Sequence, residues 1–324
     1  MTEAAGARLG LVAIGRNEGE RLRACLESVV HQAETVVYVD SGSTDGSVTM
    51  AQAMGAHVVE LDMRQPFTAA RARNTGWRAL MSIAPHTQYV QFVDGDCTLA
   101  IGWLPTAHAF LEAEPAYAVA CGRRRERFPE RSLYNAMCDV EWNTPVGDAK
   151  ACGGDALVRV SALQQVGGYN DTLIAGEEPD LCVRLRKVGW KVRRLDHEMT
   201  LHDAAMTRFG QWWKRTVRGG YAFAEGAWLH GGPPERHWVK ETLRTLFWGV
   251  ALPLAVTLLV LMVSWSALFL LLAYPLQVVR LSIGPRGWVE SCFLIIGKFA
   301  EAAGALKFYG NLMSGRNANL LEYK

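Results

Sequence analysis

The sequence predicts an α/β domain with a mostly parallel sheet, followed by C-terminal membrane helices. Over the first hundred residues, short β-branched or aromatic segments alternate with segments of helical periodicity, which is typical of strands joined by helical crossovers. Acidic residues follow two of the strand-like segments. Later in the chain, the 34 residues 246–279 carry no charged side chain, which indicates membrane-spanning helices.

Four strands and three helices are predicted in the first hundred residues. The strands are expected at residues 9–14, 35–39, 57–61 and 89–93, and the helices at 22–30, 47–54 and 69–81. In the first helix, Leu22, Cys25 and Leu26 fall on one face. Strands that alternate with helices favour a parallel sheet with helices on both faces.

The next hundred residues are less regular. Residues 122–146 are polar and rich in arginine, and we interpret them as a long irregular loop, either solvated or able to bind anions. A short helix is expected at 163–168, a helix at 179–188 that Gly189 ends, and a strand at 199–201.

Composition excludes several classes of protein. Thirty-four Lys and Arg against 32 Asp and Glu leave no excess charge for binding nucleic acid. With 50% hydrophobic and 20% charged residues the chain is not disordered. The seven cysteines contain no C-x-x-C spacing, so we expect reduced thiols rather than disulfides or a zinc site. The first ten residues lack an apolar segment of signal-peptide length, and we expect the N-terminus not to be exported.

The uncharged segment is best interpreted as a hairpin of two membrane helices. As one helix it would be about 51 Å long, whereas a bilayer core is about 30 Å thick. We therefore expect spans at about 246–263 and 266–280, with a turn near Ser264-Trp265-Ser266. Basic residues flank both ends, as the positive-inside rule requires of cytoplasmic ends: Arg236, Lys240, Arg244, Arg280 and Arg286. A buried pair of core helices is the alternative.

These patterns divide the chain into residues 1–240, a catalytic domain, and 241–324, the hairpin plus an amphipathic helix at about 289–309. On that helix Cys292, Ile296, Phe299, Ala303 and Leu306 form an apolar stripe. The stripe faces either the membrane interface or the domain.

Carboxylates at the ends of predicted strands indicate a ligand site, since ligands of open α/β sheets bind beyond the carboxyl ends of the strands. Asp40 begins the segment DSGSTDGS, and Asp94 and Asp96 follow the fourth strand. Two carboxylates on one tight turn suit Mg²⁺ or Mn²⁺. Asp45 is equally well explained as a helix cap.

Three further carboxylates, Glu177, Glu178 and Asp180, begin the helix predicted at 179–188. They either stabilise the helix dipole or supply a general base. His202 follows the last predicted strand and is either structural or a metal ligand.

The order of these motifs resembles the family 2 glycosyltransferases, inverting enzymes with the GT-A fold, over roughly residues 9–224. The motifs are Asn17-Glu18, DSGSTDGS from Asp40, Arg73-Asn74-Thr75-Gly76, Asp94-Gly95-Asp96, Gly153-Gly154-Asp155 and Glu177-Glu178-Pro179-Asp180-Leu181. The C-terminal hairpin is similar to that of membrane-attached bacterial members. The fold implied is a Rossmann-like GT-A sheet.

The resemblance implies roles for individual residues. Nucleotide-sugar binding is implied for Asn17, Glu18, Asp40, Ser41, Asp45, Arg73, Asp94, Gly95 and Asp155. Asp96 and His202 would hold Mg²⁺ or Mn²⁺. Glu178 stands where the family usually has Asp and is the expected catalytic base, with Glu177 and Asp180 as rivals. Residues 211–215 depart from the Q-x-x-R-W element of processive synthases, so processive synthesis is not expected.

We therefore expect an inverting, metal-dependent transferase of the hexosyltransferase type in cell-envelope or exopolysaccharide synthesis. Its donor would be a nucleotide diphosphate sugar, UDP favoured over GDP, and its acceptor a lipid-linked or membrane-proximal glycan. The expected location is the inner membrane, with the catalytic domain in the cytoplasm and no nucleic-acid partner. The alternatives are a non-catalytic membrane scaffold with a degenerate nucleotide-binding domain and a nucleotidyltransferase.

Overall fold

The computed structural model describes residues 9–284 and 287–315, which form two compact units. The first unit ends at Thr207 and the second begins at Arg208. This division differs from the boundary expected at residue 240, because the helix Phe209–His230 packs against the helix Trp288–Ser314 within the second unit. The first eight residues and Arg286, used above for the expectations on export and flanking charge, lie outside the described residues.

The first unit contains strands and helices in alternation. Its strands are β1 Leu9–Gly15, β2 Thr35–Asp40, β3 His57–Glu60, β4 Tyr89–Asp94, β5 Cys97–Leu99, β6 Tyr117–Glu126, β7 Gly147–Asp148, β8 Ala156–Arg159 and β9 Lys191–His202. Its helices are α1 Glu20–Glu27, α2 Ser47–Ala53, α3 Ala69–Ile83, α4 Trp103–Ala113, α5 Leu133–Trp142, α6 Val160–Val166 and α7 Glu177–Lys187. All four strands predicted in the first hundred residues are present.

The strands of the described residues form one mixed sheet in the order β3-β2-β1-β4-β8-β6-β9-β5, with β7 paired to β9. The first four strands in this order run parallel. Strand β8 is antiparallel to both of its neighbours, and β5 and β7 are antiparallel to β9. The predicted α/β fold class is confirmed, and the antiparallel strands follow the part of the sequence where strand–helix alternation breaks down.

Helix α3 lies unusually close to the sheet. A Cβ atom on its Gly76 would lie 2.3 Å from Val12 of β1 and 2.9 Å from Val39 of β2. Only glycine permits this approach, since real Cβ contacts are not shorter than about 3 Å. The close packing fixes the position of Arg73, one turn earlier, beside the end of β4.

The arginine-rich segment is not the irregular loop that we expected. Strand β6 runs through it to Glu126, a 3-10 turn follows at Pro129–Arg131, and α5 occupies most of the remainder. The side chains alternate along β6: Glu126 is fully buried, and Arg124 is less exposed than Arg125 (17% against 43%). Burial of charged side chains with partners of opposite sign explains how so polar a segment forms a strand.

The second unit consists of helices: α8 Phe209–His230, α9 Val239–Leu246, a π-helical turn Phe247–Ala251, α10 Leu252–Met262, a 3-10 segment Trp265–Leu272, α11 Ala273–Ser282 and α12 Trp288–Ser314. Among the described residues, two continuous helical segments are long and apolar enough to cross a membrane, Val239–Met262 and Trp265–Ser282. Only 11% and 6% of their apolar windows are buried within the protein. They overlap the two predicted spans.

Helix α12 leaves its apolar stripe exposed and buries another face, which fits the alternative that the stripe faces the membrane interface better than packing on the domain. Small residues such as Gly304 and Ala302 face inward, and Ile296 and Leu306 of the stripe are 41% and 52% exposed. A Cβ atom on Gly304 would lie 2.0 Å from the carbonyl oxygen of Val217 on α8. The two helix backbones therefore touch, as at the small-residue contacts of membrane helices.

Candidate active site

The ends of β1, β2 and β4 lie side by side at the carboxyl edge of the sheet, where Asp40 and Asp94 are the last residues of β2 and β4. The loops that follow β1 and β2 are linked to each other. The Asn17 amide donates to Ser43 Oγ (2.9 Å), and Asn17 Oδ1 accepts from the Thr44 amide (2.7 Å). Asn17 has a positive φ of 54°. The neighbouring Glu18 pairs with Arg21 (2.7 Å).

Asp40 and Asp45 both organise the loop that they belong to. Asp40 is buried, and it accepts hydrogen bonds from the Tyr38 hydroxyl (3.0 Å) and from the amides of Gly42 (2.9 Å) and Ser43 (2.8 Å). Burial and the nearby Asp40 carboxylate raise the pKa of Tyr38.

Asp45 accepts from the amide and hydroxyl of Ser47, the first residue of α2. The Ser47 hydroxyl lowers the pKa of Asp45. The N-cap position of α2 is Gly46, so Asp45 is not the cap itself but stabilises the residue before the helix and its first turn. The adjacent Ser41 is buried next to Asp40.

Arg73 joins three carboxylates from distant parts of the chain. Its guanidinium donates to Asp94 Oδ1 (2.8 Å) and Glu177 Oε1 (2.9 Å) and lies 3.0 Å from Glu178 Oε1. The residue is 2% exposed. Burial disfavours the charge, but the three carboxylates outweigh it and raise the pKa of Arg73. This cation therefore connects the end of β4 to the first turn of α7.

Arg124 holds the same aspartate from the other side and was missed by the sequence analysis. Its Nη2 lies 2.7 Å from Asp94 Oδ2 and 2.8 Å from Asp155 Oδ2. Asp155 also accepts from the Asp94 amide (2.9 Å) and the Thr200 hydroxyl (2.7 Å). Burial opposes ionisation, but the two arginines hold the pKa of Asp94 well below its usual range.

The glycine at position 154 of the Gly153-Gly154-Asp155 motif is explained by a steric constraint. A Cβ atom on Gly154 would lie 2.5 Å from Arg73 Nη2 and 2.8 Å from Asp94 Oδ2. A residue with a side chain would separate this ion pair. The glycine therefore lets the chain pass over the Arg73–Asp94 pair on its way to the buried Asp155.

The carboxylates of α7 have different surroundings. Asp180 accepts from Arg184 on the next turn of the same helix (2.8 Å), and Glu177 is buried against Arg73. The Glu178 side chain keeps 15% exposure. Burial, followed by repulsion from Glu177, raises the pKa of Glu178 to about 7 despite the attraction of Arg73.

Asp96 and His202 lie next to each other in a second part of the site. His202 Nε2 lies 3.3 Å from Asp96 Oδ2, and both side chains are buried. The Asp203 amide also donates to the carbonyl oxygen of Asp96 (3.1 Å), which ties the end of β9 to this turn. Burial lowers the pKa of His202, so the imidazole is neutral at pH 7. The Trp142 ring packs edge-on against the imidazole at 4.8 Å.

These donors fit a hard divalent cation. Asp96, Cys97 and His202 each offer a ligand atom, and the three atoms lie within 4.8 Å of one another. Burial raises the pKa of the Cys97 thiol well above its usual value, and hard cations prefer oxygen ligands to sulfur. A carboxylate oxygen and a neutral imidazole nitrogen remain, which suits Mn²⁺ or Mg²⁺ with further oxygen ligands from a substrate.

Comparison with known proteins is consistent with this geometry. Residues 12–157 match Glycosyl transferase family 2, and residues 148–282 match Glycosyl transferase family group 2. The chain is a family 2 glycosyltransferase. A pre-mycofactocin glycosyltransferase of Mycobacterium tuberculosis is 29% identical over 201 residues, which are 58% of this chain. The match covers only 41% of that relative's length.

Solved structures share the fold of this glycosyltransferase. The mannosyltransferase PcManGT from Pyrobaculum calidifontis, in complex with GDP-Man and Mn²⁺, superposes with a TM-score of 0.63 at 20% identity and covers 92% of this chain and 87% of its own. Glucosyl-3-phosphoglycerate synthase from Mycobacterium tuberculosis, with Mn²⁺, UDP and glucosyl-3-phosphoglycerate, gives a TM-score of 0.50 at 17% identity, over 71% and 82% of the two chains. The GT-A fold expected from the motifs is confirmed.

Proposed function

We propose that this glycosyltransferase transfers a sugar, with inversion, from a nucleoside diphosphate sugar to a hydroxyl of a lipid-linked or membrane-proximal glycan. The observation that carries the proposal is the position of Arg73, which contacts both Asp94 at the strand edge and Glu178 on α7. Because Arg73 joins these two residues, a donor bound at the carboxyl edge of the sheet would lie beside Glu178, whose pKa is raised. The structural relatives were solved with GDP-Man and with UDP, so both donor classes are to be tested.

Glu178 is proposed as the general base. In an inverting displacement the acceptor hydroxyl oxygen forms a bond to the anomeric carbon, and the bond from that carbon to the β-phosphate oxygen breaks. Glu178 takes the hydroxyl proton, and the nucleoside diphosphate leaves with the electron pair. Its pKa of about 7 suits this task, because a base with a pKa near the working pH is about half ionised and still basic enough to take the proton.

Asp96 and His202 would hold a divalent cation, which supplies positive charge to the departing diphosphate. Electrostatics support this assignment. In the site described above, the carboxylates of Asp94, Asp96, Asp155, Glu177 and Glu178 outnumber the two guanidinium groups of Arg73 and Arg124. A buried excess of negative charge that large repels a diphosphate unless a cation is added.

Attachment to the inner membrane by two helices, with the catalytic unit in the cytoplasm, is proposed from the apolar surface of the second unit. Trp265, Phe269 and Leu261 are about three-quarters exposed (76%, 74% and 76%). So large an exposed apolar area is unusual for a soluble protein. The protein should remain with membranes after a carbonate or high-salt wash and should be released only by detergent.

The proposal is tested by Glu178→Gln, with Asp180→Asn as the matched control on the same helix turn. Transfer by Glu178→Gln should fall about 100-fold to 10,000-fold, with donor binding within about threefold of wild type. Asp180→Asn should retain transfer, because Asp180 is engaged by Arg184. Equal transfer by Glu178→Gln and wild type would exclude the base assignment. Release of pyrophosphate instead of a nucleoside diphosphate would indicate a nucleotidyltransferase, and donor binding without any turnover a scaffold.

A further inference from the structure

Glu126, a buried carboxylate at the end of β6, has no role in the mechanism above but lies behind the proposed metal ligand His202. Glu126 and His202 are register partners in the parallel pairing of β6 with β9. The Glu126 Oε2 atom lies 3.5 Å from His202 Nδ1, and the Glu126 side chain is fully buried. On the opposite side of the ring, His202 Nε2 faces Asp96.

The position of Glu126 is fixed by three hydrogen bonds to its carboxylate. Its Oε1 accepts from the Phe128 amide (3.2 Å) and from Asn135 Nδ2 (3.1 Å), and its Oε2 accepts from the Ala204 amide (3.1 Å). These donors lie in the loop after β6, in α5 and in the loop after β9. A carboxylate held by donors from three segments cannot turn away from His202 without losing them.

The His202 ring has two neutral tautomers, and each ring nitrogen faces a carboxylate: Nε2 lies 3.3 Å from Asp96 Oδ2 and Nδ1 lies 3.5 Å from Glu126 Oε2. Nδ1 is buried and has no hydrogen-bond partner among the described residues, so a proton on Nδ1 would need the Glu126 carboxylate as its acceptor. A cation between Asp96 and His202 needs the Nε2 lone pair and therefore excludes the tautomer in which Nε2 donates to Asp96. The proton must then be on Nδ1, facing Glu126.

We propose that Glu126 is a positioning residue that fixes His202 in the Nδ1–H tautomer and so presents Nε2, together with Asp96, to the divalent cation. Metal-binding histidines in proteins commonly donate their second nitrogen to such a carboxylate, and loss of that partner typically weakens metal binding 10- to 100-fold. The inference rests on the proposed function for the identity of the cation, and the tautomer is measured independently of sugar transfer.

The first experiment measures the tautomer without substrate, before and after addition of Mg²⁺. Long-range ¹H–¹⁵N spectra of histidine-labelled protein in detergent distinguish the two tautomers, and the His202 signals are assigned by their loss in His202→Gln. After addition of Mg²⁺, wild type should show a protonated Nδ1 and an unprotonated Nε2. A protonated Nε2 after addition of Mg²⁺ would overturn the proposal, whether or not the protein proves to be a transferase.

The second experiment measures Mn²⁺ affinity, from the electron paramagnetic resonance signal of free Mn²⁺, for Glu126→Gln and for a matched control. In Glu126→Gln an NH₂ group replaces one of the acceptor oxygens, so the tautomer should change and the Mn²⁺ Kd should rise about 10- to 100-fold. Asp139→Asn is the control, because Asp139 accepts from the backbone amide of Glu126 (3.0 Å) but leaves the Glu126 carboxylate unchanged. Its Kd should stay within about threefold of wild type.

The outcomes separate the two proposals. An unchanged tautomer and an unchanged Mn²⁺ Kd in Glu126→Gln would overturn the role of Glu126. Absence of Mn²⁺ binding in wild type, with the Nδ1–H tautomer present, would count against the metal-dependent function and leave the positioning of His202 standing. If Glu126→Gln fails to fold, the wild-type tautomer still decides the question.

Discussion

Arg73 Nη2 lies 2.8 Å from Asp94 Oδ1, although the two residues belong to a helix and a strand 21 positions apart in the sequence. The same guanidinium reaches Glu177 and Glu178. A planar group with several fixed donors can serve carboxylates in different directions at once, which an ammonium group on a flexible chain does poorly. This cation therefore sets the distance between the donor edge of the sheet and the proposed base.

Substitution of Arg73 by Lys should preserve the positive charge but lose the planar set of donors that contacts three carboxylates. We expect transfer to fall by at least about tenfold, and the free energy of unfolding to fall by about 1–3 kcal/mol, since at least one buried carboxylate loses its partner. Arg71→Lys is the control on the same helix, because the Arg71 side chain donates to the carbonyl oxygens of Pro66 and Asp62 near the surface. Transfer rates and urea unfolding measure the two effects. Equal loss in both variants would show that Arg73 has no special role.

Gly154→Ala tests the close passage of the chain over the ion pair. The added Cβ would lie 2.5 Å from Arg73 Nη2, so the pair must separate. We expect about 1–3 kcal/mol of destabilisation and a large loss of donor binding. Gly153→Ala is a matched control, because no atom outside its chain neighbours lies within 4 Å of the added carbon. Thermal unfolding and donor titration of both variants measure the difference, and indistinguishable variants would contradict the steric explanation.

The pH dependence of the reaction follows from the surroundings of Glu178. Burial disfavours its ionisation most, followed by repulsion from Glu177 and Asp94, whereas Arg73 favours ionisation. Together these effects raise the pKa of Glu178 to about 7. A base must be ionised, so kcat/KM should rise with pH through about 7 and level off above it. Donor binding measured over the same range should not share this profile. A rate independent of pH between about 5.5 and 8.5 would exclude Glu178 as a base of raised pKa.

The contact between α8 and α12 predicts opposite effects for two glycines of one helix. Gly304→Ala introduces a Cβ 2.0 Å from the Val217 carbonyl oxygen and should destabilise the second unit by about 1–3 kcal/mol. Gly310→Ala meets no atom within 4 Å and should be neutral or stabilising by up to about 1 kcal/mol, because alanine favours helix. Thermal unfolding in detergent distinguishes them. Equal stability of the two variants would contradict the close contact of α8 and α12.

Much of the fold could be predicted from the sequence because its signals are local. The buried segments that form β1, β2 and β4 are apolar runs bounded by polar turns, and the helices between them carry a single apolar face. The contributions of Arg124 and Glu126 could not be predicted, since their partners Asp155 and His202 are distant in sequence. Residues 122–126, Gly-Arg-Arg-Arg-Glu, also lack the apolar–polar alternation that predicts a strand.

The choice among the carboxylates of α7 also needed the structure. The sequence places Glu177, Glu178 and Asp180 within one helical turn, and the rotation of that turn decides which of them faces Arg73. Burial of Leu181 and Leu185 against the sheet fixes the rotation. It directs the two glutamates towards Arg73, whereas Asp180 pairs with Arg184. In both Gly122–Glu126 and α7, the direction of the side chains could not be predicted from the sequence, because it depends on packing between distant segments.

The most direct test of metal-dependent donor recognition is calorimetric titration of UDP, GDP and ADP into the detergent-solubilised protein, with Mn²⁺ and with a chelator. Wild type should bind one of these diphosphates in the presence of Mn²⁺. The affinity should fall at least about tenfold with the chelator and in Asp96→Asn, since the cation offsets the charge of the carboxylates around the site. Equal affinity with Mn²⁺ and with the chelator, unchanged by Asp96→Asn, would contradict the proposal that Asp96 and His202 hold a cation on the diphosphate.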